Sequence, residues 1–359
     1  MDNKLITHII YSGLGGHANV LFPLLENSFS DHFENHVVFF GIEEVNPDYI
    51  QKCNVLGVKF TRIQKKRKRY LGAFSQLKKL LKQQNPHCVI VHNSEMIISA
   101  SQFARKHATH TIYVEHENNQ SKSRFLHFLS KYARKKSDAI VCLNHVFKQE
   151  YESLYGATPN LHVIENGIDI EKFTPVQKPQ NLICGLAGRM VEVKDHHNLI
   201  KAFKKVVESY PKAQLLLAGD GPLKKELEAL SAQLELSENI QFLGLLNEDE
   251  MISFYKSLSL YTHATHAETM STAILQAMSC ELPIITADIK NNKILVEDQV
   301  NGWLYATNNA EDLASKIISA HQNREEFERF GKANRLKVLK QFSAEQMSLK
   351  YTALIESLS

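Results

Sequence analysis

The sequence predicts an α/β protein of two doubly wound, parallel-sheet domains, and three observations lead there. The chain has 359 residues, too many for one ordinary domain and suited to two of about 150 to 200 residues, each with its own core. Short apolar runs alternate with amphipathic stretches along both halves, the rhythm of a parallel sheet covered by helices on both faces. A polar stretch with two prolines at residues 173–181 breaks that rhythm once. It reads as a linker between a domain at 1–172 and a domain at 182–342, with 343–359 as a terminal helix.

The elements follow in order. Residues 4–11 pass from Lys4 straight into Ile6-Thr7-His8-Ile9-Ile10-Tyr11 without a basic n-region or a small-residue cleavage site, so 6–11 reads as a strand rather than a signal peptide. A helix is expected from about residue 18. Further strands are expected at 36–40, 58–62, 88–92, 111–114, 139–143 and 161–164, with helices at 74–83 and 124–135. The second half repeats the plan with strands at 182–187, 214–218, 240–243, 258–262 and 284–286. Its helices are expected near 196–209, 223–234, 249–256 and 271–278. Doubly wound sheets bind ligands at their strand C-termini, so the two sets of loops are expected to face a cleft. The last segment, 344–358, is an amphipathic helix whose Met347, Tyr351, Leu354, Ile355 and Leu358 need a surface to cover.

Composition narrows the class. With 43% hydrophobic and 23% charged residues the chain is a folded protein without long disorder. No apolar run reaches the roughly 20 residues of a membrane-spanning helix. Cys53, Cys88, Cys142, Cys184 and Cys280 show no C-x-x-C spacing and read as reduced core residues of a cytoplasmic protein. From Tyr49 to Ser94 there are eleven Lys or Arg and no acid. Lys65, Lys66, Arg67, Lys68 and Arg69 form a dense run, and Lys131, Arg134, Lys135 and Lys136 a second cluster. These suit either an anionic membrane surface, at about 1 kcal/mol per basic residue, or a solvated helix face. Nucleic acid is not expected, because no aromatic interleaving or binding motif accompanies the charge.

Three loops carry chemistry. Ser12-Gly13-Leu14-Gly15-Gly16-His17 follows the first strand and feeds a helix, a turn through which backbone amides approach a phosphate. It matches neither G-x-G-x-x-G nor a P-loop. Gly188-Arg189-Met190-Val191-Glu192-Val193-Lys194 places two cations just past a strand, where they can steady a leaving diphosphate. Thr262-His263-Ala264-Thr265-His266-Ala267-Glu268-Thr269-Met270-Ser271-Thr272 runs from a strand end into a helix bearing Gln276. There Glu268 can accept hydrogen bonds from hydroxyls, while Thr269, Met270, Ser271 and Thr272 offer amides to a phosphate, or Ser271 and Thr272 simply cap the helix.

Taken together with Glu165-Asn166-Gly167-Ile168-Asp169, Phe173, Pro175, Ala218-Gly219-Asp220-Gly221-Pro222, Phe242-Leu243-Gly244 and Asn301-Gly302-Trp303-Leu304, these motifs resemble the family-4 retaining glycosyltransferases. The match covers nearly the whole chain in the family's order. The resemblance implies the GT-B fold, two Rossmann-like domains facing a cleft, with the C-terminal helix crossing back to pack on the N-terminal, acceptor-binding domain. It implies transfer of a hexose or N-acetylhexosamine from a nucleoside-diphosphate sugar, with UDP the expected nucleotide, to a glycan or polyprenyl-linked envelope acceptor. Arg189 and Lys194 would hold the diphosphate, Gly15 and Gly16 would close over it, and Leu245 would meet the base. Glu268 would contact the donor sugar, and His116 in Val114-Glu115-His116-Glu117-Asn118 would face donor sugar and acceptor. Neither metal nor cofactor is expected. The enzyme would work as a cytoplasmic protein peripheral to the inner face of the membrane, docked through Lys65 to Arg69.

One departure stands out: Gln276 replaces the second glutamate of the family's Glu-x7-Glu motif. Gln accepts and donates hydrogen bonds without charge, so weaker ribose binding is expected. The pairs His263/His266, His196/His197 and His107/His110 lack a third metal ligand at sensible spacing. A nucleotide-sugar 2-epimerase of the same architecture and a non-catalytic glycan-assembly partner remain the rival readings. A nicotinamide-dependent oxidoreductase lacks its glycine fingerprint.

Overall fold

A computed structural model describes residues 4–13, 15–66 and 70–358. The chain forms two compact units, Met1–Ile168 with Ala344–Ser359, and Asp169–Ser343.

The N-terminal unit is built on seven strands: β1 Lys4–Tyr11, β2 Phe33–Gly41, β3 Lys59–Gln64, β4 Cys88–Val91, β5 His110–Glu115, β6 Ala139–Cys142 and β7 Leu161–Val163. They pair in parallel in the order β3-β2-β1-β4-β5-β6-β7. Every residue of β4 is buried, as the unbroken run Cys88-Val89-Ile90-Val91 requires of a central strand covered on both faces. At the edge, β3 alternates and is largely exposed, which explains why its pattern is weak in the sequence. Strand order reverses between β1 and β4, so the loops leaving these two strands diverge and open the switch-point crevice.

The terminal helix Ala344–Ser357 packs in this unit against the helices Ala18–Leu25 and Phe29–His32. Met347, Tyr351, Leu354 and Ile355 are buried there, at about 1.5–3 kcal/mol each. That outweighs the surface pair Lys350–Glu165 at 2.5 Å, worth at most about 1 kcal/mol.

The C-terminal unit carries six parallel strands, β8 Ile183–Ala187, β9 Gln214–Ala218, β10 Ile240–Gly244, β11 Leu260–His263, β12 Ile284–Ala287 and β13 Gly302–Tyr305, in the order β10-β9-β8-β11-β12-β13. Its switch point lies between β8 and β11. Residues 169–182 belong to this unit: Phe173 sits edge-on to Tyr255, and Arg335 Nη1 donates to the carbonyls of Ile170, Phe173 and Ser279 at 2.8–3.0 Å.

The sequence reading places no element between residues 287 and 343. The structure has β13 there, with Trp303 packed 4.6 Å from Phe330, and the helices Ala310–Gln322 and Glu326–Gln341. The helices Pro47–Val55, Ile97–Ala104 and His145–Tyr155 are likewise additions. All five cysteines are buried and free. Among the described residues no helix is long and apolar enough to cross a membrane.

Candidate active site

In the C-terminal unit the loops leaving the two switch-point strands are stitched together. The His266 amide and the Thr265 hydroxyl both donate to the Val193 carbonyl, at 2.8 and 2.9 Å. The β8 loop rests in turn on the loop after β9: the Gly188 amide bonds Ala218 and the Met190 amide bonds Asp220, each at 2.9 Å. A side chain at Gly219, whose φ is +133°, would run into the Gly188 carbonyl, and one at Gly221 into that of Met190. The Gly219-Asp220-Gly221 motif thus supports the segment carrying Arg189 and Lys194.

Within this frame the Lys194 ammonium pairs with Glu268 Oε2, and His263 Nε2 lies 3.1 Å from the same oxygen. Burial alone would raise the Glu268 carboxyl, but Lys194 and then His263 overcome it and hold it down at about 2. Burial lowers His263 against the pull of Glu268, so the ring is neutral at pH 7. Its Nε2–H therefore donates to Glu268, leaving Nδ1, 3.3 Å from the Tyr261 hydroxyl, as acceptor. His263 enters the sequence reading only as half of a weak metal pair. The signal for its structural place is a histidine ending a buried strand, five residues before the carboxylate. Asn291 fixes the Glu268 carbonyl at 2.9 Å.

The other expected donor residues lie on the segments that follow β8, β10 and β11 in the same unit. Arg189 is exposed on the β8 loop. Thr269, Met270 and Ser271 are buried, and the Ser271 hydroxyl caps the helix Thr272–Ser279 through the Ile274 amide at 3.3 Å. Gln276 Oε1 is already engaged by the Tyr255 hydroxyl at 3.1 Å. Leu245, just past β10, is 58% exposed.

In the N-terminal unit, His8 on β1, His17 after the glycine turn, His92 after β4 and His116 after β5 form one cluster. His92 Nδ1 lies 3.1 Å from His116 Nε2, the His17 and His116 rings are 4.4 Å apart, and His8 stacks 6.1 Å from His92. Burial, reinforced for His92 and His116 by their imidazole neighbours, lowers all four, His8 and His17 to about 4. Gly15 and Gly16 are exposed beside this cluster; a side chain at Gly16 would meet open space, so packing within the unit does not demand glycine there. Below His116, the buried Glu115 accepts from the Glu117 amide at 3.2 Å, Lys122 at 2.7 Å and Ser130 at 2.6 Å. Glu115 and Lys122 are fully buried and anchor the loop that carries His116.

The basic run is not one surface. Lys65 pairs with Glu95 and lies over the Tyr70 ring at 4.5 Å, so its charge is turned inward and it drops out of the expected docking patch. Lys66 is exposed, while Arg67, Lys68 and Arg69 lie outside the described residues. A different face stands out on the helix Arg124–Lys136, whose start is capped by Ser123. Phe125 and Phe128 are 48% and 53% exposed on it, their rings continue to Tyr70 and Tyr132 at 6.4–6.5 Å, and the 86% exposed Leu71 adjoins Tyr70. Arg124, Lys131 and Lys135 are exposed on the same helix, which has no acidic residue.

Two doubly wound sheets in one chain, each with its polar loops at the switch point, are the GT-B architecture. Residues 14–172 match the family described as Glycosyltransferase Family 4, and residues 168–337 match Glycosyl transferases group 1. The chain is 25% identical over 255 residues to an uncharacterized glycosyltransferase of Haemophilus influenzae, covering 70% of this chain and 71% of that one. It is 25% identical over 265 residues to the UDP-Gal:alpha-D-GlcNAc-diphosphoundecaprenol alpha-1,3-galactosyltransferase of Escherichia coli, covering 67% and 68%. The fold matches HepE of Anabaena in complex with UDP-glucose, with a TM-score of 0.87 at 16% identity over 99% of this chain and 100% of that one. Two consecutive matches spanning nearly the whole chain make this protein a GT-B glycosyltransferase of the family-4 type. Among the described residues no group of three His, Cys, Asp or Glu is placed to hold a metal ion.

Proposed function

We propose that this glycosyltransferase moves a hexose or N-acetylhexosamine from a UDP-linked donor to a lipid-linked or envelope glycan acceptor, with retention of anomeric configuration. The reading rests on Lys194, Glu268 and His263 meeting at the switch point of the C-terminal sheet, on the loop partner of Arg189. A diphosphate arriving there competes with Glu268 for the Lys194 ammonium, and the released carboxylate is free to accept from sugar hydroxyls. As the bond from the anomeric carbon to the phosphate oxygen breaks, Arg189, Lys194 and the amides of 269–272 stabilise the charge growing on the diphosphate. The acceptor hydroxyl attacks the same face and passes its proton to that leaving oxygen, so no protein nucleophile or metal ion is needed. His116 of the N-terminal unit orients hydroxyls of donor sugar and acceptor.

The names of the relatives support the choice of UDP and of a diphosphoundecaprenol-type acceptor. A thermal-shift panel of nucleoside diphosphates and their sugars, with and without a chelator, tests it directly. UDP and a UDP-sugar are expected to raise the melting temperature in chelator, since a ligand present at 100 times its Kd contributes about 2.7 kcal/mol. No response to any nucleotide would remove the reading. Release of free, rearranged sugar without acceptor would replace it with a 2-epimerase.

The acceptor places the enzyme at the inner, anionic leaflet, and the aromatic and basic face of the helix Arg124–Lys136 is the part suited to dock there. Rings at the interface and Arg or Lys at the headgroups match such a surface, and no acid on that helix opposes it. Phe125→Ser with Phe128→Ser should cut binding to phosphatidylglycerol vesicles about tenfold or more while leaving UDP binding intact. Equal binding to neutral and anionic vesicles would refute the docking.

A further inference from the structure

The helices Leu71–Gln84 and Ile97–Ala104 pack side by side in the N-terminal unit and lead into β4 and β5. Toward their C-terminal ends, Lys78, Lys82, Arg105 and Lys106 line a cavity of about 480 Å³ together with Phe103 and His107, whose rings stack at 4.2 Å. That volume lies within the range of about 300–1,000 Å³ usual for small-ligand sites. The cavity adjoins the chain entering β4 and β5, whereas His92 and His116 leave the other ends of these strands, about 13 Å away along the four residues of β4. It is separate from the site already described.

Its charge is one-sided. Between Tyr49 and Val114 the only acid is Glu95, and that is paired with Lys65. Among the described residues none of the four cations makes an ion pair, although exposed lysines elsewhere do, such as Lys59 with Glu34 and Lys293 with Asp288. Lys78 is held instead by a neutral group: its Nζ donates to Gln102 Oε1 at 2.9 Å, which orients the ammonium and leaves its charge uncompensated. Lys78 and Lys82, one turn apart on the same helix face, repel each other.

Helix ends account for only part of this charge. Each C-terminus presents about half a negative charge, so the two together offset about one of the four cations. A surplus of about three remains. A phosphate monoester carries about 1.5–2 negative charges at pH 7, so two neighbouring phosphates match the surplus and one does not.

We propose that this cavity is a second anion site, apart from the sugar-transfer centre, which takes a molecule carrying two linked phosphates. Two sources offer that group: a soluble pyrophosphate or its ester, and a lipid whose headgroup ends in a diphosphate. The site belongs to the N-terminal unit alone and does not depend on the transferase reading.

Calorimetry on the full-length chain with inorganic pyrophosphate tests it. A binding phase with a micromolar Kd is expected, about tenfold or more tighter than for orthophosphate. It should persist in Lys194→Ala and weaken about tenfold or more in Lys82→Gln with Arg105→Gln, at an unchanged melting temperature and with the same response to UDP. Binding absent at about millimolar pyrophosphate, equal in the wild type and the double variant, or no tighter than that of orthophosphate would overturn the proposal. Vesicles then decide between the sources. Phosphatidylcholine vesicles carrying diacylglycerol pyrophosphate should displace free pyrophosphate, and phosphatidylglycerol vesicles of equal charge should not, if the group arrives on a lipid; no displacement by either assigns the site to a soluble ligand. A failure of UDP to bind the wild-type protein would strike the transferase reading and leave this site standing.

Discussion

At the switch point of the N-terminal sheet four imidazoles are kept uncharged by burial, whereas at the equivalent place in the C-terminal sheet Lys194 and His263 keep the buried Glu268 charged. The topology is the same; the electrostatics are opposite. Neutral rings suit the orientation of sugar hydroxyls, which need directional donors and acceptors. An ammonium already compensated by a carboxylate suits a diphosphate, because the cation is preorganised and the anion has something to displace.

The sharpest way to break this contrast is to remove the cation. Lys194→Ala should lower turnover by about 10²–10³-fold and weaken UDP binding, with Arg189→Ala close behind. Near-normal rates in both would leave the C-terminal site without its proposed chemistry.

Acid should separate the two regions on the pH axis. His8 has a folded-state pKa of about 4 against 6.5 unfolded, so its contribution is complete above 6.5 and is lost as the pH falls toward 4. That loss is on the order of 3 kcal/mol. Glu268, depressed to about 2, keeps its contribution down to about 4.5 and loses it only below. Hydrogen exchange between pH 7 and 5 should therefore show β1 and β4 weakening. A His8→Gln variant whose β1 and β4 protection falls just as steeply would contradict the assignment.

The smallest expected effect concerns Gln276. Its carbonyl is occupied by the Tyr255 hydroxyl, and glutamate there would keep that bond while adding a charged oxygen for a ribose hydroxyl. Gln276→Glu should tighten UDP binding about threefold to tenfold by calorimetry; unchanged or weaker binding would take Gln276 away from the ribose.

These regions also differ in how far they could be read from the sequence. The strands β1, β4, β8 and β9 are legible because buried parallel strands are written as short apolar runs between turns. Glu268 and Lys194 are visible as polar residues beside strand ends. The helix Ala310–Gln322 carries the same kind of signal, since Leu313, Ala314, Ile317 and Ala320 repeat at helical spacing. The histidine cluster is of another kind. His8 and His116 lie more than a hundred residues apart, and only the strand order β1-β4-β5 makes them neighbours. Lys65 shows the reverse case, a charge that looks free in a basic run until Glu95 is found beside it.

The fully buried Glu115–Lys122 pair constrains how this protein can diverge. Losing either partner alone strands a charge among Tyr151, Tyr155 and Ser130, at a cost of about 3–5 kcal/mol, a large share of the stability of an ordinary domain. The two codons must therefore change together or not at all. Natural variation around His116 should collect in the half-exposed tip at residues 117–121 while the anchor beneath stays put.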